Sequence, residues 1–530
     1  MKYPIGVQDF ESIRTGGYVY VDKTDLVYKL ITRGKIYFLS RPRRFGKSLL
    51  VSTLKCYFEG RKELFEGLAI DQLEQEWTPY PVFYLSFGGQ NFVEPYQLDH
   101  VLEEFVANGE RLYGKDEVAQ TLGSRFKQLL RNAQIKTGRK AVVLVDEYDK
   151  PLLDVLDMED LKVTVGENEM PIEDYNRSLL KGFFSVLKEA EGSLQFVLLT
   201  GVTKFSQVSV FSGMNQPDDI SMSARYDTIC GITEDELQTT FQVPIEEMAK
   251  EYGIGIDEMK YRLKRKFDGY HFSRKMVGVY NPFSILRTFN EMLMDDYWFS
   301  TGSPTYLVRL LAKSNENLNE LVGKYYSTQQ FVDYKADKEA PLPMIYQSGY
   351  LTIKGYDMDT NSYLLDFPND EVKNGFVTMV ANNYLTPAEN PNSWLLQSVK
   401  AMKEGDTELL EKLLTSFLAS IPYSQRRKED EREKERYFQY TFYLLLRMIS
   451  CFTVYIEKET SEGRSDCVVE TPKFIYVFEF KRDGNAEDAI RQIEKKGYAR
   501  EYMNDSRPII KIGCNFSSKT GTIDDWKVEK

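Results

Sequence analysis

Histidine is nearly missing from this chain: His100 and His271 are the two present in 530 residues. A multi-histidine metal site, or catalysis built on a histidine base, has almost nothing to draw on. Cysteine is scarce as well. Cys56, Cys230, Cys451, Cys467 and Cys514 are odd in number, scattered and without a C-x-x-C pair. A disulfide framework or a cysteine zinc site is therefore excluded as an organising feature, and a reducing cytoplasm fits best. No apolar run approaches the ~18 residues that cross a bilayer. Met1-Lys2-Tyr3-Pro4-Ile5-Gly6 has no apolar signal core, so membrane-spanning and secreted readings are set aside. A positive excess is also lacking: 68 Lys+Arg against 80 Asp+Glu leave −12. That balance excludes a surface coated in base, while a local basic groove, and with it nucleic acid as a partner, stays open. Carboxylates and lysines must carry any chemistry.

The length suggests roughly three to four units at about 150 residues each. In the first third, short β-rich runs alternate with helical stretches, the pattern of a parallel sheet flanked by helices. The buried strands are expected at 35–40 (KIYFLS), 82–87 (VFYLSF), 141–145 (AVVLV) and 195–200 (QFVLLT), with amphipathic helices at 48–58 and 175–189. The acidic stretch 157–173 has no clear period and reads as an insertion loop. From Thr233, followed by Glu234-Asp235-Glu236 and a plausible helix N-cap, the pattern becomes mainly helical. Within that region 346–353 (YQSGYLTI) reads as an aromatic hairpin-like strand, either the wing of a winged-helix unit or part of a small packing subdomain. Segment 387–393 (PAENPNS) reads as a linker. Eleven consecutive charged residues at 426–436, six basic and five acidic, read as a solvated helix face leading into an apolar helix at 437–449. The expected domains are 1–232, 233–385 and 386–530.

The first expected strand runs directly into Arg41-Pro42-Arg43-Arg44-Phe45-Gly46-Lys47-Ser48 and then a helix. A turn at Gly46 lets backbone N–H groups approach phosphate, Lys47 would reach the β- and γ-phosphates of ATP, and Ser48 would ligate Mg²⁺. Arg41 stands where the first glycine of G-x-x-x-x-G-K-S belongs, so the motif alone is an imperfect match. About a hundred residues on, 142–147 (VVLVDE) is an apolar strand ending in two acids. This is Walker B chemistry: Asp146 would hold Mg²⁺ through water and Glu147 would orient the attacking water. The alternative is that the two acids merely cap a solvent-facing strand end. Thr200 and Thr203, at the end of a third strand, are sensor candidates or backbone-satisfied β formers. Arg43 and Arg44 would add charge beside the phosphates or form surface ion pairs.

Near the C-terminus, 463–470 and 474–481 read as two strands of an antiparallel hairpin joined at Thr471-Pro472-Lys473. A period of two places Glu479 and Lys481 on one face and Phe478 and Phe480 on the other. Asp466, Glu479 and Lys481 are the minimum set for Mg²⁺-assisted phosphodiester hydrolysis, two carboxylates for the metal and a lysine for water and transition-state charge. D-x(12)-E-x-K alone reads better as an edge hairpin with an exposed Glu–Lys pair. Glu459 and Gly463-Arg464 before it, and Gln492 on the following helix, turn the reading toward a nuclease-type site.

Taken together these motifs resemble the bacterial AAA-ATPase-like family that carries a C-terminal PD-(D/E)XK nuclease-superfamily domain. The resemblance runs through Tyr3-Pro4-Ile5-Gly6, Asp9-Phe10, Val21-Asp22-Lys23-Thr24, the 41–48 loop, Val145-Asp146-Glu147-Tyr148-Asp149-Lys150-Pro151 and Thr200-Gly201-Val202-Thr203-Lys204-Phe205. It continues through 209–215 (SVFSGMN), Asp268-Gly269-Tyr270, Gly463-Arg464-Ser465-Asp466, Glu479-Phe480-Lys481 and Gln492-Ile493. With the residue patterns above, the expected fold is α/β: a P-loop NTPase parallel sheet and a C-terminal restriction-endonuclease-like domain, which the resemblance implies, with a helical or winged-helix-like middle domain between them. It also implies ATP and Mg²⁺ as cofactors, with ATP roles at Lys47, Ser48, Asp146 and Glu147 and nuclease roles at Asp466, Glu479 and Lys481. The R-P-R-R-F-G-K-S form of the loop is similar to the family's own. Roles in defence or mobile elements are suspected of its members. Two rivals remain: a nucleotide-controlled signalling or oligomerisation switch with an inactive nuclease fold, and an ATPase whose partner is another protein or a second copy of the chain.

Overall fold

The computed structural model describes residues 1–204, 217–300, 307, 321–332, 341–376, 391–420, 453–460, 463–503 and 505–530; for 299–300, 391–396, 420 and 453–464 it describes the backbone alone. The chain divides into two compact units, Met1–Lys373 and Asn374–Lys530.

The first unit is built on a five-stranded sheet ordered Val82–Ser86, Ala141–Asp146, Leu194–Gly201, Ile36–Ser40, Asp218–Asp219. Every pairing in it is parallel. Its central strands are near-continuous apolar runs because both faces are covered; Ala141–Asp146 is buried along its whole length. Register brings Ser40 opposite Gly201, Leu39 opposite Thr200, and Ser86 opposite Asp146. The polar strand ends therefore share the carboxyl edge of the sheet, where open α/β folds bind ligands. Leu194–Gly201 lies between the strand leading to Gly46 and the strand ending in Asp146, which puts Thr200 between them.

All four expected buried strands and both expected helices are present, as Lys47–Phe58 and Ile172–Glu189 for the latter. Thr233 caps Glu234–Thr240 through a full capping box with Glu236. The helices that follow share a core of Leu237, Phe241, Ile245, Met259, Leu263 and Phe289, against which Tyr3 and Val21 of the N-terminal motifs pack, together with Val19.

Two expectations are corrected. Segment 157–173 is not a loop: Lys162–Val165 and Asn168–Pro171 form an antiparallel hairpin, and the long helix already begins at Ile172. Val163 and Ile172 are buried with Val155, which anchors the hairpin although its outer face is polar. Segment 346–353 is not one strand either. Leu342–Gln347 is helical, and the strand begins at Thr352, where Thr352–Asp357 pairs with Ser362–Asp366. Pro343 in the first turn suits a helix start.

The second unit has a mixed sheet ordered Thr453–Thr460, Gly463–Glu470, Ile475–Arg482, Ile509–Phe516, Ile523–Glu529. Only Ile475–Arg482 with Ile509–Phe516 is parallel; the other pairings are antiparallel, as expected for the 463–481 hairpin. One face packs Tyr476, Phe478 and Phe480 on Met402, Leu410 and Leu414. The other packs Ile475 and Val477 on Ile490 and Ile493 of Ala486–Lys495. Of the expected linker, 391–393 open the Pro391–Glu404 helix. Its first part, the 426–436 charge run, the 437–449 helix, Phe205 and 209–215 lie outside the described residues, as do the side chains of Glu459 and Arg464.

Candidate functional site

Gly46 has φ +88° and open space where a Cβ would stand, and the helix Lys47–Phe58 starts at the next residue. An L side chain is disfavoured in that left-handed conformation. Lys47 is buried, and its Nζ donates to the carbonyls of Arg41 at 2.9 Å and Pro42 at 3.0 Å. Burial pushes the ammonium pKa down, and the nearby Asp146, Asp149 and Glu147 oppose that shift. Ser48 is half-buried in the first helical turn.

Asp146 is buried and receives two hydrogen bonds on Oδ1, from the Thr200 hydroxyl at 2.6 Å and the Glu147 amide at 3.1 Å. Thr200 thus touches the expected metal-holding carboxylate directly. Glu147 sits at φ +56°, outside the regular strand, a sparsely populated conformation for a residue with a Cβ. Burial, then Asp146, pushes its carboxyl pKa up. Thr203 is engaged elsewhere: its amide and hydroxyl donate to Asp149 at 2.6 and 2.7 Å, and the Val202 amide does so at 2.9 Å.

Arg41, Arg44 and Phe45 are each engaged by residues outside the loop. The Arg41 guanidinium is fully buried, donating to Ser40, Ser221 and Tyr226 carbonyls and lying 4.0 Å over the Phe272 ring. It acts as a strut where a glycine was expected. Arg44 lies 5.0 Å over Phe283, and Phe45 packs edge-on against Tyr270 at 4.7 Å and Phe272 at 5.4 Å. Arg43 is exposed.

Asp149 and Tyr148 received no role from sequence reasoning. Tyr148 donates its hydroxyl to the Thr203 carbonyl at 3.0 Å, so the two residues clamp the loop after Thr200 from both sides. The signal was the third acid in D-E-Y-D, two positions after Glu147 and too polar for a buried place without partners.

In the second unit Glu479 is 1% exposed. Its Oε1 accepts from the Gln492 amide and lies 3.5 Å from Lys481 Nζ, which itself donates to Gln492 Oε1 at 2.6 Å. Asp466 Oδ2 accepts from the Phe480 amide at 2.8 Å. Burial, then the Asp466 charge, raises the Glu479 pKa, and Lys481 opposes the rise. Glu479 Oε2 is buried without a hydrogen-bond partner. A lone buried carboxylate oxygen beside a second carboxylate is costly alone and fits a divalent cation. Gly513, opposite Glu479 in the parallel register, has only 2.2 Å between a built Cβ and the Ala486 carbonyl. The missing side chain is what lets the Gln492 helix approach so closely. Among the described residues there is no group of three His, Cys, Asp or Glu placed to hold a metal ion.

Two polar sites, one at the edge of a parallel sheet and one on a mixed sheet, define a chain with an ATPase-like and a nuclease-like part. The chain belongs to the predicted AAA-ATPase family, whose model matches residues 4–211, and it ends in a PD-(D/E)XK nuclease superfamily domain matched over 433–526. A protein of Azotobacter chroococcum mcd 1, described as an uncharacterized protein in the vnfD 5′ region, is 34% identical over 534 residues, spanning 100% of this chain and 99% of the relative. No helix among the described residues is long and apolar enough to cross a membrane.

Proposed function

We propose that this chain is a cytoplasmic ATP-binding and ATP-hydrolysing protein whose nucleotide state governs a Mg²⁺-dependent nuclease-like site acting on nucleic-acid phosphodiesters. The observation that carries the reading is Glu479, a buried carboxylate with one oxygen unpartnered, set beside Asp466 and joined to Lys481 through Gln492. Segments 1–232 and 233–385 would form the controlling part and 386–530 the controlled part. Defence or mobile-element biology is the setting the family resemblance suggests.

At the first site Gly46, Lys47 and Ser48 would hold the phosphates. Ser48 and Asp146 would hold Mg²⁺, Thr200 fixes the Asp146 carboxylate, and Glu147 orients water. At the second, Asp466 and Glu479 would hold Mg²⁺, Lys481 positions water and offsets negative charge, and Gln492 holds Lys481 and Glu479 in one geometry. Bound Mg²⁺ supplies Lewis-acid stabilisation of the phosphate oxygens at either place.

The test is cleavage of single- and double-stranded DNA and RNA with Mg²⁺ or Mn²⁺, with and without ATP, in wild type and Glu479→Ala. Cleavage that the substitution abolishes supports the reading, and its ATP dependence measures the control. Absence of cleavage in protein that binds ATP moves the assignment to a nucleotide-controlled signalling or oligomerisation switch, the reading that the −12 net charge favours.

A further inference from the structure

The Gly46 loop is gripped from outside the sheet by residues to which neither the motifs nor the family models assign a role. Trp298 donates its indole N–H to the Arg43 carbonyl at 3.3 Å, and its ring meets Tyr350 at 5.0 Å. Gly349, one residue before Tyr350, approaches Pro42 so closely that a Cβ would come within 2.6 Å of the proline ring. Trp298 is itself aimed by a buried acid. Glu371, 1% exposed, accepts from the Trp298 backbone N–H at 2.8 Å and from the Ser284 hydroxyl at 2.8 and 3.1 Å on its two oxygens. Ser284 follows Phe283, the ring beneath Arg44. Tyr270, packed on Phe45, feels the Glu371 charge and has a buried hydroxyl without a partner. Pro42, Arg43, Arg44 and Phe45 therefore each meet a residue of the 270–350 region.

We propose that Trp298 is a positioning residue of the phosphate loop, aimed by Glu371, and that the loop carbonyl it holds moves when phosphate enters. The inference rests on the nucleotide reading of that loop. Lys47 is tied to the carbonyls of Arg41 and Pro42, directly before Arg43. A phosphate that draws Lys47 away releases these two peptides, and the strain passes to the next carbonyl, which the indole grips. A chain of hydrogen bonds with two arrangements then links nucleotide occupancy to the helical segment.

The experiment uses the full chain with ATP·Mg²⁺ and, separately, inorganic tripolyphosphate. Trp298→Phe keeps a ring against Tyr350 but removes the N–H, and should weaken ATP about three- to tenfold, the range for one hydrogen bond. Glu371→Ala should give the same loss, Glu371→Gln should restore wild-type affinity, and the Trp298→Phe/Glu371→Ala double variant should be no weaker than either single change. Emission from position 298, taken as wild type minus Trp298→Phe, should shift with ATP or tripolyphosphate and stay constant in Lys47→Ala. Constant emission while calorimetry shows bound ATP, or additive losses in the double variant, overturns the proposal. Wild type that binds neither ATP nor tripolyphosphate overturns the nucleotide reading, and this inference with it.

Discussion

Thr200 and Asp149 divide the task of fixing the sheet edge, one holding the Asp146 carboxylate and the other the loop beyond it. Thr200→Val keeps the shape and deletes the donor to a charged acceptor. ATP turnover should fall about tenfold with binding within twofold, since an interaction worth about 1.5 kcal/mol is lost mainly where Asp146 works; steady-state kinetics and calorimetry separate the two. Glu371 gives a pH signature. Burial raises its pKa to about 7 against the pull of Trp298 N–H and Ser284; Asp296 adds to the rise and Lys266 opposes it. A carboxyl raised in the folded state stabilises fully below its unfolded value, and that contribution is lost as pH rises through about 7. Between pH about 4.5 and about 7 wild type should lose up to about 3 kcal/mol relative to Glu371→Gln. Urea midpoints across that range check it, and parallel curves would contradict it. Neither Glu371 nor Trp298 is legible in sequence, because a lone acid in a polar stretch has no period to betray its burial. Asp146 and Glu479 are legible because each charge directly follows or sits in an apolar run that must be buried, and Lys47 because it stands in a G-K-S turn between a strand and a helix.

At the scale of elements, periodicity worked where burial is one-sided or complete. Ile475–Arg482 alternates faces as read, with Glu479 and Lys481 opposite Phe478 and Phe480. Lys162–Val165 escaped because four residues with one buried side chain carry too little pattern against an acidic background. At 346–353 aromatic content suggested β structure, but the tertiary fit of Met344 and Ile345 at 0 and 1% exposure decides for helix. Among the described glycines of the second unit, Gly513 beneath the Ala486–Lys495 helix leaves the least room for a side chain. Gly513→Ala should push that helix outward, cost about 1–3 kcal/mol, and break the Gln492 contacts with Lys481 and Glu479. A lowered melting temperature together with lost cleavage is the expected pair of results; full activity would show that Gln492 is dispensable.

For the whole molecule, the sequence motifs assign two chemistries to one chain, and a prediction at this scale concerns their communication. Limited proteolysis with a non-hydrolysable ATP analogue should differ from the pattern with ADP, and Lys47→Ala should give one pattern under both conditions. Identical wild-type patterns would mean that the two parts work independently. The Lys47 arrangement also bears on timing. With its ammonium donating to the Arg41 and Pro42 carbonyls, Lys47 can engage a phosphate only by exchanging acceptors. An arriving phosphate must then draw the lysine from those carbonyls before it is held, so in stopped flow the observed rate should level off as ligand concentration rises, at the rate of that exchange.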